Sequence, residues 1–327
     1  MAVVVVTNRI PESGMAKLRA EHEVRAWEHE ECISRDEALR LVAGADAVLT
    51  LLTERVDGEF LDAAGPQLKV VANVAVGYNN IDVAECEARG VIATNTPRVL
   101  TETTADTAFG LMLMVTRRFG EGERIIRSQT PWQWGMFYLL GMGLQGKTIG
   151  IVGMGQIGIA MARRAKAFGM SIVYADDYDP PAAAVEGLDA RKVSLDELFA
   201  TADVVSLHCP YLPSTHHLVD EARLRSMKRT AYLVNSARGP IVDEEALVAA
   251  LRTGEIAGAG LDVFEKEPAV HPGLLELENV VLLPHLGSAT TETRAAMADL
   301  AADNALAVLR GDAPLTPVTP VTPVTKL

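Results

Sequence analysis

The sequence is poor in cysteine, in basic charge and in long apolar runs. Its three cysteines, Cys32, Cys86 and Cys209, are far apart and form no CxxC pair, so neither a disulfide framework nor a metal site is predicted. The 30 Lys and Arg residues against 43 Asp and Glu give a net charge of −13, which argues against a nucleic-acid partner. No stretch reaches the roughly 18 uninterrupted apolar residues of a membrane span. These absences predict a cytoplasmic protein with reduced thiols and no membrane partner.

What the sequence does have is an alternation of short Val- and Ile-rich runs with helical patterns. Before residue 100, runs such as Val3–Val6 and Val70–Asn73 are separated by helical segments such as Glu12–Glu21. Continuous β-branched runs between helices are typical of parallel sheets that are buried on both faces. With 327 residues, the chain is long enough for about two domains. We predict an α/β protein with two doubly wound parallel-sheet domains.

Four later segments complete the outline. Thr101–Thr116 is apolar nearly all round, which predicts a buried helix. Residues 120–147 form a less regular, aromatic-rich excursion, and residues 290–310 have the pattern of a final amphipathic helix. The end of the chain, Pro314–Leu327, repeats Thr-Pro-Val three times. Because proline at every third position prevents helix and ladder pairing, we expect an extended and poorly ordered tail.

The most specific motif is a glycine-rich hexapeptide in the middle of the chain. It follows the strand pattern Thr148–Val152 and opens a helical pattern, and the next apolar run ends at Asp176. A strand, a glycine turn, a helix and a second strand ending in an acid predict a dinucleotide site. The glycines let the backbone approach a pyrophosphate, which the helix N-terminus faces. The motif residues expected to contact the cofactor are Gly153, Gly155, Gln156, Ile157 and Gly158.

The acid after the second strand indicates which dinucleotide is bound. A carboxylate at Asp176 accepts hydrogen bonds from the ribose hydroxyls of NAD and repels the 2′-phosphate of NADP, and Asp177 adds a second negative charge. No Arg or Lys lies between Tyr174 and Gly187 to bind that phosphate. We therefore expect NAD, with NADP disfavoured.

Three ionisable side chains, Arg238, Glu267 and His285, each come after an apolar run that predicts a strand. Because ligands of an open parallel sheet bind at the carboxyl ends of its strands, we expect all three to meet the nicotinamide. An arginine fork can hold a carboxylate through two hydrogen bonds. A histidine can give a proton to a carbonyl oxygen as hydride reaches the carbon. A carboxylate beside that histidine favours the imidazolium, so the joint placement predicts a catalytic group.

With the motifs described above, the sequence resembles the D-isomer-specific 2-hydroxyacid dehydrogenase family. The resemblance covers the chain from about residue 1 to about residue 315, and its motifs occur in the same order. The stretches that carry it are Val76–Asp82, Thr101–Ala105, Gly153–Gly158, Leu233–Gly239, Gly260–Pro268 and Pro284–Ser288.

The resemblance implies a discontinuous, flavodoxin-like substrate domain made of residues 1–100 and 289–315. A Rossmann NAD domain, residues 101–288, lies between these parts of the sequence, and residues 316–327 form the disordered tail. Such dehydrogenases are usually homodimers through the nucleotide domain, with the aromatic excursion near the partner's active site. We therefore expect a homodimer.

The resemblance also implies roles for individual residues. Arg238, Glu267 and His285 correspond to the catalytic group. The backbone amides of Val76 and Gly77, together with Arg238 and His285, would bind the substrate. Further cofactor contacts are implied at Thr104, Cys209, Pro210, Ala237, Asp262 and Gly287.

Within the family, residues 134–148 and the short Glu267–His285 spacing resemble the glyoxylate and hydroxypyruvate reductases. This implies NAD(H)-dependent, reversible reduction of a small 2-oxo acid to the D-2-hydroxy acid. Other family dehydrogenases, of the D-lactate, 3-phosphoglycerate or phosphite type, remain alternatives. Phosphite dehydrogenases place a lysine where Val76 stands, which disfavours phosphite as the substrate. No regulatory domain is expected after residue 315, which argues against the long form of phosphoglycerate dehydrogenase. An alternative from another class is a non-catalytic, NAD-sensing, corepressor-like binding protein, which usually carries longer tails.

Overall fold

The computed structural model describes residues 1–319, which form two compact units. The first unit comprises Met1–Leu100 together with the chain from Ala289 onward, and the second comprises Thr101–Ser288. Each unit contains a parallel sheet with helices between its strands. The predicted α/β class, with two parallel sheets, is confirmed.

The first unit is built on a five-stranded parallel sheet. Its strands are β1 (Val3–Val6), β2 (Glu23–Ala26), β3 (Ala47–Thr50), β4 (Val70–Asn73) and β5 (Ile92–Thr94). The helices between them are α1 (Glu12–Glu21), α2 (Arg35–Leu41), α3 (Gly58–Ala64) and α4 (Val83–Ala88). Within the described residues the strand order is β2-β1-β3-β4-β5, the flavodoxin-like doubly wound arrangement. Every residue of β3 and β4 is buried, as their unbroken apolar runs predict.

The second unit is built on a seven-stranded parallel sheet. Its strands are β6 (Thr148–Val152), β7 (Ser171–Ala175), β8 (Arg191–Lys192), β9 (Val204–Leu207), β10 (Tyr232–Asn235), β11 (Gly258–Leu261) and β12 (Val280–Leu282). Its helices are α5 (Thr101–Thr116), α6 (Phe119–Arg127), α7 (Gln156–Ala167), α8 (Ala182–Val185), α9 (Leu195–Thr201), α10 (Glu221–Ser226), α11 (Glu244–Thr253) and α12 (Pro272–Leu275), with short 3₁₀ turns at Pro213–Thr215 and Gly239–Ile241.

The order of this sheet in the described chain, β12-β11-β10-β9-β6-β7-β8, reverses direction between β6 and β9. In open parallel sheets such a switch point marks the crevice where ligands bind. One apolar core lies under α9, α10 and α11, and a second lies on the other face under α5 and α7. Half of the α5 residues are buried. None of the helices within residues 1–319, α5 included, combines the length and the hydropathy that a membrane span needs.

The segment predicted as an irregular excursion begins with regular structure. Its first residues belong to α6, whose residues are all exposed or half-buried. The two glycines in this nine-residue helix, Gly120 and Gly122, lower its helix propensity, so the sequence does not single it out as a helix. The remainder, up to the start of β6, is irregular.

The last helix, α13 (Thr291–Leu309), belongs to the first unit, where it packs on α1, β3 and β4. Beyond it, the chain runs antiparallel to β5, with Val318 N donating to the Ala93 carbonyl at 2.9 Å. The expectation of a disordered tail from residue 316 is therefore wrong for residues 316–319. β5 is an edge strand, so its backbone N–H and C=O groups lack a partner strand on one side. A segment with proline at every third position can still pair with them through the Thr316 carbonyl and the Val318 N–H. The rest of the expected tail, residues 320–327, lies outside the described residues.

Candidate active site

Two of the three glycines in the turn after β6 are required by its geometry. Gly153 has a φ of 92°, and a Cβ there would lie 2.5 Å from the backbone nitrogen of Cys209. A Cβ on Gly158 would lie 2.1 Å from the Gly153 carbonyl oxygen. Only glycine fits either position. A Cβ on Gly155, in contrast, would meet no described atom within 4 Å, so the space beside the start of α7 is open.

The start of α7 fits an anion. Gly155 caps the helix without a side chain, and no side-chain group of the described chain caps the first amides. Gln156 and Ile157 form the first turn, where the Gln156 Oε1 accepts a hydrogen bond from Thr101 Oγ1 at 3.3 Å. Uncapped amides and the helix dipole favour a phosphate group in the open space beside Gly155. The residues present therefore fit a dinucleotide pyrophosphate.

Asp176 is held against this turn. Its Oδ2 accepts a hydrogen bond from Met154 N at 2.7 Å, and its Oδ1 accepts one from Tyr178 N at 2.9 Å. Its position directly after β7 is the one at which an acid meets the ribose of a dinucleotide. Strand pairing also brings the charge of Lys192 near Asp176, which sequence reasoning missed because β8 follows in a later segment. Lys192 forms an ion pair with Asp179 at 2.8 Å.

Three of the predicted cofactor residues, Thr104, Asp262 and Gly287, lie together. Asp262 accepts hydrogen bonds from Leu286 N at 2.6 Å and from Gly287 N at 2.8 Å. A Cβ on Gly287 would lie 3.3 Å from both the Asp262 carboxylate and the Thr104 methyl group. Burial raises the pKa of Asp262, although the two backbone amides oppose this effect. The cluster anchors the segment that carries His285, whose backbone nitrogen donates to the Asp262 carbonyl.

The end of β9 meets the glycine turn through Cys209, which is followed by the exposed Pro210. Burial raises the pKa of Cys209 to about 12, so this thiol is protonated at neutral pH and is not a nucleophile. His208, which no sequence motif singles out, has its Nε2 2.9 Å from Ser206 Oγ. Burial lowers the pKa of His208 to about 4, so its ring is neutral at neutral pH.

Arg238 lies on a turn that a buried asparagine braces. The Asn235 side chain accepts a hydrogen bond from Ala237 N and donates one to the Arg238 carbonyl, both at 3.0 Å. The half-buried Arg238 also donates from Nη1 to the Ala237 carbonyl at 2.6 Å. Burial lowers the pKa of Arg238, and the charge of Glu267 opposes this shift. The two predicted catalytic charges therefore interact.

His285 and Glu267 form the central pair of the site. His285 Nδ1 donates to Glu267 Oε2 at 2.8 Å, and the two side chains are 34% and 35% exposed. Glu267 Oε1 accepts a further hydrogen bond from Phe264 N at 3.0 Å. Burial alone would raise the pKa of Glu267, but the His285 hydrogen bond and charge, with smaller effects of Phe264 N and Arg238, lower it overall. Glu267 is therefore ionised at neutral pH, and its negative charge lies beside the His285 ring.

A second histidine–glutamate pair in the same unit differs in one respect. His217 Nε2 contacts Glu265 Oε1, and His217 Nδ1 lies 3.8 Å from Asp243. Both of its ring nitrogens therefore face carboxylates. His285 Nε2, in contrast, makes no hydrogen bond within residues 1–319 and can donate to a substrate. Of the two pairs, only the one at His285 has the geometry of a general acid.

Val76 and Gly77 belong to the first unit, where they lie half-buried in the loop that follows β4. Within residues 1–319, no three histidine, cysteine or carboxylate residues are grouped as a metal site would need.

Comparisons with known proteins agree with the dinucleotide fold. Residues 109–287 match the family model for the NAD binding domain of D-isomer specific 2-hydroxyacid dehydrogenases. A glyoxylate reductase of Thermococcus onnurineus is 50% identical over 318 residues, which cover 96% of this chain and 94% of the relative. A glyoxylate reductase of Korarchaeum cryptofilum is 48% identical, with 95% and 94% covered.

Solved structures extend the similarity to the whole described fold. A glyoxylate reductase from Paecilomyes thermophila has a TM-score of 0.88 at 34% identity, with 97% of this chain and 98% of that chain covered. An NADPH-dependent glyoxylate/hydroxypyruvate reductase from Sinorhizobium meliloti, in complex with NADP and malonate, has a TM-score of 0.84 at 38% identity, with 97% and 96% covered. The chain therefore belongs to the D-isomer specific 2-hydroxyacid dehydrogenase family, and it is an oxidoreductase that acts on a CH–OH group with a nicotinamide dinucleotide.

Proposed function

We propose that this protein reduces a small 2-oxo acid of the glyoxylate or hydroxypyruvate kind to the D-2-hydroxy acid, reversibly and preferentially with NADH. The observation that carries the proposal is the His285–Glu267 pair. His285 Nε2 is available to a substrate, and the charge of Arg238 helps to lower the pKa of Glu267. The relatives named glyoxylate reductase, at about half identity along nearly the whole chain, support this substrate class.

In the proposed reaction, bound NADH supplies the hydride. Arg238 holds the substrate carboxylate and polarises the carbonyl group. His285 donates a proton from Nε2 to the carbonyl oxygen, while Glu267 holds the ring through Nδ1 and stabilises its charged form. The amides of Val76 and Gly77 bind the carboxylate of the substrate.

The preference for NADH is supported by the carboxylates after β7. Asp176 is held at the glycine turn by Met154 N, and Asp177 is exposed beside it. Their negative charges oppose a 2′-phosphate, and Lys192 is already paired with Asp179. The NADPH-dependent relative from Sinorhizobium meliloti makes the cofactor a necessary part of any activity test.

We also propose a homodimer formed through the second unit. The irregular segment before β6 exposes a set of large apolar side chains, namely Trp132, Trp134, Met136, Phe137 and Leu140. Large exposed apolar side chains grouped in one segment are typical of a subunit interface. The first unit is proposed as the substrate domain, and the unpaired state of all three cysteines supports a cytoplasmic location.

A substrate panel tests the proposed function. The rates of NADH and NADPH oxidation would be measured with glyoxylate, hydroxypyruvate, pyruvate and 3-phosphohydroxypyruvate. We expect the highest kcat/KM for glyoxylate or hydroxypyruvate, and at least about tenfold higher values with NADH than with NADPH. Faster turnover of 3-phosphohydroxypyruvate would contradict the substrate class, and equal rates with the two cofactors would contradict the role given to Asp176.

A further inference from the structure

Two buried asparagines hold the loop that follows β4. Asn95 Nδ2 donates to the Val76 carbonyl at 2.8 Å, and Asn73 Nδ2 donates to the Gly77 carbonyl at 2.9 Å. Asn73 is fully buried and Asn95 is 9% exposed. Two successive carbonyl groups are therefore bound by side-chain amides from the ends of β4 and β5.

The carbonyl group of the preceding residue, Ala75, also has a hydrogen-bond donor. The Ala75 carbonyl accepts a hydrogen bond from Thr96 N at 2.8 Å, so three consecutive carbonyls, from Ala75 to Gly77, have donors within the unit. In a trans peptide the C=O and N–H bonds point in opposite directions. Holding these carbonyls therefore also sets the direction of the next three N–H groups, those of Val76, Gly77 and Tyr78.

Those three N–H groups are available to a ligand. In the part of the chain that the structure describes, Val76 N, Gly77 N and Tyr78 N donate no hydrogen bond. Val76 and Gly77 are half-buried, and Tyr78 is exposed, so solvent reaches the loop. A run of backbone amides without acceptors is a binding site for an anion.

We propose that Asn95 and Asn73 are positioning residues for substrate binding: they orient the amides of Gly77 and Tyr78 toward the carboxylate of the 2-oxo acid. The inference rests on the proposed function and adds Tyr78 N to the groups that bind the carboxylate. Without a side-chain donor, the Val76 and Gly77 carbonyls lose a hydrogen bond and the two peptides can rotate. The asparagines act through these peptides and do not themselves touch the substrate.

Asn95 is the cleaner position to change. Asn73 also accepts a hydrogen bond from Thr50 Oγ1 at 3.1 Å, so its replacement disturbs the end of β3 as well. Asn95 uses its backbone for its other bonds, in which its nitrogen donates to the Thr316 carbonyl and its own carbonyl accepts from Thr316 Oγ1. Those bonds remain in Asn95→Ala.

The test compares Asn95→Ala with the control Gln67→Ala in the full-length protein. The Gln67 side-chain amide also donates to two backbone carbonyls of the first unit, those of Ala45 at 3.0 Å and Ala64 at 2.6 Å, at a position that precedes β4. For Asn95→Ala we expect the KM for glyoxylate to rise about tenfold or more, since hydrogen bonds to a charged group are lost. We expect kcat to stay within about threefold and the Kd for NADH to be unchanged. For Gln67→Ala we expect an unchanged KM at a similar loss of thermal stability.

Oxalate binding, measured by calorimetry in the presence of NADH, makes the test independent of turnover. We expect the Kd for oxalate to rise in parallel with KM in Asn95→Ala and not in Gln67→Ala. An unchanged Kd in Asn95→Ala, or no oxalate binding by the wild type, overturns the inference. If the wild type binds oxalate through an Asn95-dependent site but reduces no 2-oxo acid, the proposed function fails and the inference stands. If Asn73→Ala folds, we expect it to raise the Kd at least as much.

Discussion

At the scale of single residues, His285 and His217 each pair with a glutamate. Of the two, His217 has a carboxylate at both ring nitrogens, whereas His285 has one at Nδ1 alone. Both have a positive φ, of 54° at His285 and 48° at His217, and both pair with a glutamate. We expect His285→Asn to lower kcat for glyoxylate reduction by about 10²- to 10⁴-fold, because the proton donor is lost. The Kd for NADH, followed by fluorescence, should change little.

The matched control for this prediction is His217→Asn. Asparagine tolerates the left-handed backbone at both positions, so backbone strain does not separate the two variants. We expect His217→Asn to retain most of the wild-type kcat. Equal losses in the two variants, or a fully active His285→Asn, would show that the proton comes from another group.

The partner of His285 gives a pH-dependent prediction. Because the pKa of Glu267 is lowered, its carboxylate is ionised throughout the neutral range and favours the imidazolium needed for reduction. In Glu267→Gln this charge is absent, so reduction should decline at a lower pH than in the wild type as pH rises. The measurement is kcat against pH for both proteins.

Glu265→Gln is the control for this pH profile, since it removes the carboxylate of the other histidine pair. It should leave the alkaline decline of kcat where it is in the wild type. A Glu267→Gln profile that coincides with the wild-type profile would exclude an electrostatic role for this residue.

The sequence singles out the charged residues of the candidate site, but not the asparagines that hold the loop after β4. Arg238, Glu267 and His285 follow apolar runs, and the carboxyl ends of parallel strands meet at one edge of a sheet. Asn73 and Asn95 are also near strand ends, but their partners are backbone carbonyls. Because the direction of a carbonyl depends on the folded loop, no residue pattern reveals such a contact.

At the scale of elements, two glycines of the turn between β6 and α7 have different roles. A Cβ at Gly158 would collide with the Gly153 backbone, whereas a Cβ at Gly155 would enter open space. We expect Gly158→Ala to lower the Tm by several degrees or to prevent folding, since overpacking costs about 1–3 kcal/mol. We expect Gly155→Ala to lower the Tm less than Gly158→Ala does, since it loses only the preference of the N-cap for glycine. We expect it to raise the Kd for NADH at least about tenfold, because the methyl group takes up the pyrophosphate space.

Thermal melts and NADH titrations check both variants. Gly143→Ala serves as the control, since a Cβ there also meets nothing within 4 Å and the residue lies outside the turn. Unchanged NADH affinity in Gly155→Ala would place the pyrophosphate elsewhere.

The elements that the sequence predicts best are the buried ones. Unbroken apolar runs identify β3 and β4, whose residues are all buried. The edge strand β2 alternates exposed and half-buried residues, and both residues of β8 are exposed. Such strands carry little apolar signal, and their pairing depends on the neighbouring strand that the fold supplies. Missing β8 from the sequence also meant missing Lys192 near Asp176.

At the scale of the whole molecule, the exposed aromatic segment before β6 predicts self-association. Trp134 is 75% exposed and Phe137 is 88% exposed in the single chain. We expect sedimentation velocity to give a dimer, and we expect Trp134→Ser with Phe137→Ser to shift it toward monomer, because the interface loses two large apolar side chains. Tyr178→Ser, at an aromatic residue that is 82% exposed outside this segment, should remain dimeric. A monomeric wild type would contradict the proposal.

For the whole molecule, the proposed function predicts one product, which a single experiment can identify. Hydroxypyruvate would be incubated with NADH and the protein, and the product would be identified by chiral chromatography while NADH loss is followed at the same time. We expect one D-glycerate to form for each NADH consumed. L-Glycerate, or no NADH consumption with hydroxypyruvate and glyoxylate, would contradict it.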